Sequence, residues 1–294
     1  MQRRVTFYSE GQKVAGILFT PDGLPAGARR PGIVVCHGYT GVKERYMPDI
    51  AAHLVAAGNV ALIFDYRGFG ESEGARGRLI PLDQVEDIRS GLSFLEAQPE
   101  VDPARLGLYG TSFGGANVSY AAAVDERVRC TMSVVGVADG ERWLRSLRRN
   151  WEWEEFQAWV ARDRVARATT GKGEAVDPLE IMLPDPETAA VWEARFREHP
   201  EWKFSLALES ADAIMRFHPE ALVERIAPRA ICWIVGGEDR LVPPSEAEVL
   251  YRRAGQPKRF VVVPGISHYA AYTGPPFDEI MRHTITWFQE HLGS

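Results

Sequence analysis

Leu106-Gly107-Leu108-Tyr109-Gly110-Thr111-Ser112-Phe113-Gly114-Gly115-Ala116 sets an apolar run, a serine between glycines and a small-residue helix start side by side. Its centre, Gly110-Thr111-Ser112-Phe113-Gly114, fits the pattern G-x-S-x-G. The spacing has a mechanical reason. A serine on a sharp strand-to-helix turn is held in a strained backbone conformation, and the flanking glycines leave room for neighbouring backbone. The hydroxyl is then presented above the sheet, at the positive end of the following helix. Such a pentapeptide often arises by chance, but here an apolar strand precedes it and a helix over Phe113–Val124 follows. Ser112 is therefore the candidate nucleophile.

Outward from this turn, strands and helices alternate. Upstream, Val5–Tyr8 and Val14–Phe19 flank Ser9-Glu10-Gly11-Gln12 and read as a hairpin. After the Gly- and Pro-rich linker Pro21–Pro31, Gly32-Ile33-Val34-Val35-Cys36 is a continuous apolar run, as in a strand buried on both faces. A helix over Met47–Ala57 stops at Gly58. A strand Val60–Phe64 and an amphipathic helix Leu82–Ala97 behind Pro81 then lead to the strand Leu106–Tyr109. Downstream come strands Cys130–Val135, Ala230–Val235 and Phe260–Val263, with helices over Ser245–Ala254 and Phe277–Leu292. This order predicts an α/β fold with a doubly wound, mostly parallel sheet and right-handed crossovers.

The alternation breaks between about Asp139 and Arg225. Trp143, Leu147 and Trp151 recur at helical spacing, and Asp177-Pro178 and Asp185-Pro186 each read as an N-cap followed by a first-turn proline. Six of the eight tryptophans fall in this stretch: Trp143, Trp151, Trp153, Trp159, Trp192 and Trp202. The expected organisation is a core of residues 1–138 and 226–294, with residues 139–225 inserted as a helical cap.

Composition narrows the classes. The 294 residues are 45% hydrophobic and 25% charged, with net charge −6 and no basic stripe. That is a soluble globular balance with no nucleic-acid footprint. Cys36, Cys130 and Cys232 lie far apart in apolar runs, without zinc spacing or an even count, and read as buried free thiols. Residues 1–20 carry no signal-peptide pattern and no stretch is long enough to span a bilayer, so no membrane association and a cytoplasmic location are expected. Gly68-Phe69-Gly70 and Gly74-Ala75-Arg76-Gly77 lack the residues of a phosphate loop and read as turns.

Of the seven histidines, His268 stands in Pro264-Gly265-Ile266-Ser267-His268-Tyr269, directly after the last predicted strand. His37 precedes Ser112 and reads as a residue that holds its loop. The run Gly236-Gly237-Glu238-Asp239 follows the preceding strand and supplies a carboxylate, Asp239 fitting best and Glu238 being the alternative.

His37-Gly38-Tyr39, Asp65-Tyr66-Arg67-Gly68-Phe69-Gly70-Glu71-Ser72, Val101-Asp102-Pro103-Ala104-Arg105, the Ser112 turn, Gly237-Glu238-Asp239 and His268 succeed one another along the chain. In that order they resemble the α/β-hydrolase superfamily over nearly the whole length. The likeness is strongest to the branch of dienelactone-hydrolase-like enzymes, acyl-peptide and X-Pro peptidases and bacterial esterases. Dienelactone hydrolases proper use a cysteine, so Ser112 argues against that activity. The resemblance implies a triad of Ser112, Asp239 and His268, with the backbone N–H groups of Tyr39 and Phe113 as oxyanion donors. Asp65 and Arg67 are expected to be buried hydrogen-bonding partners.

The implied chemistry is hydrolysis of a small-molecule ester through an acyl-enzyme. Amide, peptide or carbon–carbon bond hydrolysis are the alternatives, and a non-catalytic binding protein is the rival from another class. No metal or organic cofactor is called for. The candidate pocket residues are Tyr39, Trp143, Trp151, Trp159 and Tyr269, and an apolar cap face could support a homodimer.

Overall fold

The fold follows from how the apolar runs divide their side chains between two faces. In the computed structural model, which describes residues 1–293, the hairpin forms strands β1 (Gln2–Ser9) and β2 (Gln12–Phe19). Next come β3 (Arg30–Cys36), helix α1 (Met47–Ala56), β4 (Val60–Phe64), α2 (Pro81–Glu96), β5 (Val101–Thr111), α3 (Phe113–Val124) and β6 (Val128–Val134). Period-two geometry sends Val34, Cys36, Leu62 and Phe64 to one face of the sheet, packed against α2 and α3. Ile33, Val35, Ala61 and Ile63 go to the other, against α1 and the C-terminal helix. Both faces are covered, which is why these strands read as unbroken apolar runs. Each fully buried Val, Leu or Ile contributes roughly 1.5–3 kcal/mol.

From the end of β6 to Arg229 the regular structure is mainly helical. It comprises α4 (Gly140–Ser146), α5 (Asn150–Thr170), β7 (Ala175–Val176), α6 (Pro178–Ile181), α7 (Pro186–Glu198), β8 (Leu206–Ala207) and α8 (Glu209–Met215). The two aspartates do act as caps. Asp177 accepts from the Leu179 amide, and Asp185 accepts from the amides of Glu187 and Thr188. The predicted Trp143-Leu147-Trp151 stripe does not exist. The chain leaves helical geometry between α4 and α5, so Trp143 is fully buried while Trp151 is 54% exposed. Two-residue strands β7 and β8, unseen in the sequence pattern, pair antiparallel.

The chain then returns to the sheet through β9 (Ala230–Gly236), α9 (Ser245–Arg253), β10 (Lys258–Val263) and α10 (Gly274–Leu292). The eight strands lie in the order β1-β2-β4-β3-β5-β6-β9-β10. β1–β2 and β2–β4 are antiparallel and all other pairs are parallel. β5 starts earlier than the apolar pattern suggests, because Val101 pairs with Arg30 ahead of a bulge and Leu106 with Gly32 after it. The segment over α4 to α8 is tied by polar bonds to the loops and helices around the sheet. Trp143 Nε1 donates to Leu241 O at 2.9 Å, Arg142 Nε pairs with Glu246 at 2.6 Å, and the Leu79 amide donates to Ser210 Oγ at 3.0 Å. Among the described residues, no helix is long and apolar enough to cross a membrane.

Candidate active site

Four loops at the C-terminal ends of parallel strands converge on Ser112: those after β3, β5, β9 and β10. This is where open α/β sheets place their ligands. Ser112 itself has φ 54° and ψ −126°, a conformation that costs a non-glycine residue about 1–3 kcal/mol. The surroundings enforce it. The Ser112 amide donates to Val134 O at 2.9 Å, and a Cβ on Gly114 would fall 2.5 Å from the carbonyl oxygens of both Cys36 and His37. The second glycine of the motif is thus required for the helix to approach the end of β3.

The serine Oγ lies 3.1 Å from His268 Nε2, and His268 Nδ1 lies 2.7 Å from Asp239 Oδ2. All three residues are buried, at 6%, 3% and 5% exposure. The other carboxylate oxygen of Asp239 accepts from the backbone amides of Leu241 (3.0 Å) and Val242 (2.8 Å), which fixes its plane. Glu238 points into solvent, so Asp239 is the carboxylate that reaches the histidine. The order serine–imidazole–carboxylate can move a proton from Oγ to Nε2 while the carboxylate holds the ring.

The loop after β3 crosses directly over the serine. A Cβ on Gly38 would lie 2.9 Å from Ser112 Cβ and 3.3 Å from its Oγ. Tyr39 follows at once, and among the described residues neither its backbone N–H nor that of Phe113 has an acceptor. Phe113 opens α3, so its amide also carries the positive end of that helix. The Tyr39 phenol is committed elsewhere, donating to Pro178 O at 2.9 Å. His37 is buried, donates from Nδ1 to Gly38 O at 3.0 Å and stacks edge-on against Tyr66. Burial lowers its pKa, so it remains a neutral part of the loop.

A cavity of about 60 Å³ opens onto Ser112 and His268. Tyr39 and Tyr269 lie on its wall, as does Trp192, whose Nε1 donates to the Tyr269 hydroxyl at 2.9 Å. Three expected pocket residues do not line it. Trp143 is sealed beneath, hydrogen-bonded to Leu241; Trp151 faces outward; Trp159 borders a separate surface depression and donates to Glu174. Residues on the wall that were not among the candidate pocket residues include Arg45, Tyr46, Met182, Val191, Trp192 and Arg195. One signal was available for the last three. The Asp185 cap fixes where α7 begins, and positions 191, 192 and 195 then share a face.

Asp65, at the end of β4, is fully buried and accepts from the Lys43 amide, Lys43 Nζ and the Glu71 amide. Glu44, Asp65 and Glu71 could together resemble a cation site, but Lys43 Nζ lies 2.6 Å from each of them and supplies the charge. Burial works against that ammonium, yet its hydrogen bonds to Asp65, Glu44 and Glu71 prevail and raise its pKa. Arg67 pairs with the buried Asp87 at 2.7 Å. Both residues therefore brace the loop beside the site.

The family model described as "Serine aminopeptidase, S33" matches residues 27–271. The chain is an α/β-hydrolase. An uncharacterized 31.7 kDa protein of the traX-finO intergenic region of Escherichia coli is 30% identical to this α/β-hydrolase, over 98% of the chain and 100% of its own length. The thiohydrolase aneE of Aspergillus aculeatus is 27% identical, over 96% of the chain and 91% of its own length. In structure, the α/β hydrolase GrgF from Penicillium superposes with a TM-score of 0.83 at 19% identity, with both chains covered completely.

Proposed function

We propose that this α/β-hydrolase cleaves carboxylic esters through an acyl-enzyme on Ser112. The observation that carries the reading is the buried relay Ser112 Oγ–His268 Nε2–Asp239, at 3.1 and 2.7 Å. The substrate carbonyl oxygen sits toward the N–H groups of Tyr39 and Phe113. His268 Nε2 takes the Ser112 proton as Oγ bonds to the carbonyl carbon, and Asp239 stabilises the imidazolium. Collapse of the tetrahedral species breaks the bond to the leaving group, which departs with the proton from Nε2. Water, deprotonated by the same histidine, then releases the acid and restores Ser112. Two preorganised donors at the oxyanion contribute roughly 3 kcal/mol each. Residues 139–225 act as the cap in this reading, with Met182, Val191 and Trp192 supplying the apolar wall of the cavity.

Thioester hydrolysis is the second reading, supported by the thiohydrolase named among the relatives. It uses the same residues with a better leaving group. Recognition of a free α-amine, which the description of the family model suggests, is disfavoured because, among the described residues, no aspartate or glutamate lines the cavity. The test is turnover of p-nitrophenyl acetate and an acetyl thioester by the parent and by Ser112→Ala. A loss in kcat of about 10⁴–10⁶ is expected in the variant. Activity retained by correctly folded Ser112→Ala would refute the assignment.

A further inference from the structure

Among the described residues, the cavity beside Ser112 is lined by two arginines and no acid. Arg195, on α7, is only 5% exposed. Its Nη2 donates to Thr40 O at 3.2 Å, and its Nε is buried without an acceptor. Arg45 reaches the same cavity, bonded to the Tyr46 hydroxyl at 3.0 Å and stacked on that ring. Among the described residues neither forms an ion pair.

Other arginines of this chain that are at least partly buried have carboxylates or several carbonyls beside them. Arg67 has Asp87, Arg142 has Glu246 and Glu220, and Arg167 has Asp163. Arg229 has no nearby carboxylate bond, but its guanidinium donates to the carbonyls of Ala122, Asp125, Val128 and Arg225. Arg148 likewise donates to the carbonyls of Leu144, Glu180 and Ile181. Arg195 has one carbonyl. The faces of Trp192, Phe196 and Trp202 stand 5.2, 5.5 and 5.6 Å from its guanidinium carbon, close to the outer limit of about 6 Å for a cation–π contact. They shelter the charge without replacing an anion. Burial, followed by repulsion from Arg45, lowers its pKa to about 10, so it is still cationic at neutral pH.

We infer that the substrate of this site carries a carboxylate, held by Arg195 and Arg45 while its ester or thioester carbonyl lies against Ser112. A planar guanidinium with free donors matches a carboxylate in a forked geometry that a lysine cannot reproduce. One cavity of about 60 Å³ is lined by both arginines and the serine, so the carboxylate is separated from the scissile carbonyl by a short spacer. It sits on either the acyl or the alcohol portion. The inference rests on the hydrolase reading above and adds the substrate's charge to it.

The experiment compares isosteric acid and amide substrates in two arms. The acyl arm uses mono-(4-nitrophenyl) adipate against 4-nitrophenyl 5-carbamoylpentanoate. The leaving-group arm uses 3-carboxyphenyl acetate against 3-carbamoylphenyl acetate. In one arm the parent should favour the acid by about tenfold or more in kcat/KM. Arg195→Gln should bring that ratio close to one, and Arg195→Lys should leave it intermediate, through a rise in KM. Should Arg195→Gln not fold, the lowered ratio in Arg195→Lys serves alone. Preference for the amide in both arms, or a ratio untouched by either variant, overturns the inference while leaving the hydrolase reading standing. Turnover of none of the four by the parent overturns both.

Discussion

Replacing Asp239 by asparagine changes one atom of the relay and leaves its shape intact. Oδ1 of Asp239 accepts from the amides of Leu241 and Val242, while Oδ2 faces His268 Nδ1. An asparagine must put its oxygen in one of these places and its NH2 in the other. With the oxygen toward the imidazole, the NH2 confronts two backbone N–H groups and both bonds are lost. With the oxygen toward the amides, only the histidine side suffers. At about 1 kcal/mol per bond, and about 1–3 kcal/mol for stranding a buried donor, the second orientation wins by roughly 2–4 kcal/mol. Nδ1 must then accept from the NH2, which forces the proton onto Nε2, where it cannot receive the serine proton. The productive tautomer is left with a population of about one in thirty to one in a thousand, and loss of the carboxylate charge lowers the rate further. A fall in kcat of about 10³–10⁴ is expected for Asp239→Asn. The assay is steady-state hydrolysis of p-nitrophenyl acetate near neutral pH, with thermal unfolding as the control for folding. A loss of less than about tenfold in a folded variant would refute the orientation argument.

Four further outcomes follow from the same geometry. Gly114→Ala places a methyl against the carbonyl oxygens of Cys36 and His37, and should destabilise the protein by about 3 kcal/mol or more, read by chemical denaturation. Tyr39→Phe removes the bond to Pro178 O, but that carbonyl still accepts from the Met182 amide. The expected cost is therefore only about 0.5–1.5 kcal/mol, with kcat retained if the donor to the oxyanion is the backbone N–H. Trp151→Ala should leave kcat, KM and stability as in the parent, within about 0.5 kcal/mol. Trp192→Phe loses its bond to the Tyr269 hydroxyl on the cavity wall and should raise KM.

The serine, imidazole and carboxylate that meet at the candidate site were legible because each is fixed by its local sequence. A strained serine between a strand and a helix needs glycine where Gly110 and Gly114 stand, and the carboxylate and imidazole follow the apolar runs that form β9 and β10. The choice between Asp239 and Glu238 needed the structure, since it depends on which way a turn faces. The cavity was not legible for a different reason. Met182, Val191, Trp192 and Arg195 on its wall come from the helical segment between β6 and β9, where the direction of a side chain depends on helix breaks that periodicity does not mark. Trp143 and Trp151 illustrate it: continuous spacing placed them on one face, whereas the interruption between Ser146 and Asn150 buries one and exposes the other. Arg195 was hidden among charged residues of an ordinary-looking helix. Its significance lies in what surrounds it, and no spacing rule encodes the lack of a carboxylate.

The central claim, that Ser112 is an activated nucleophile, is tested most directly by intact-mass measurement after exposure to a neutral fluorophosphonate. One adduct per chain, mapped by peptide mass to Ser112 and missing in both Ser112→Ala and folded His268→Ala, is the expected result. An unmodified chain, or an adduct that persists in Ser112→Ala, would contradict the account.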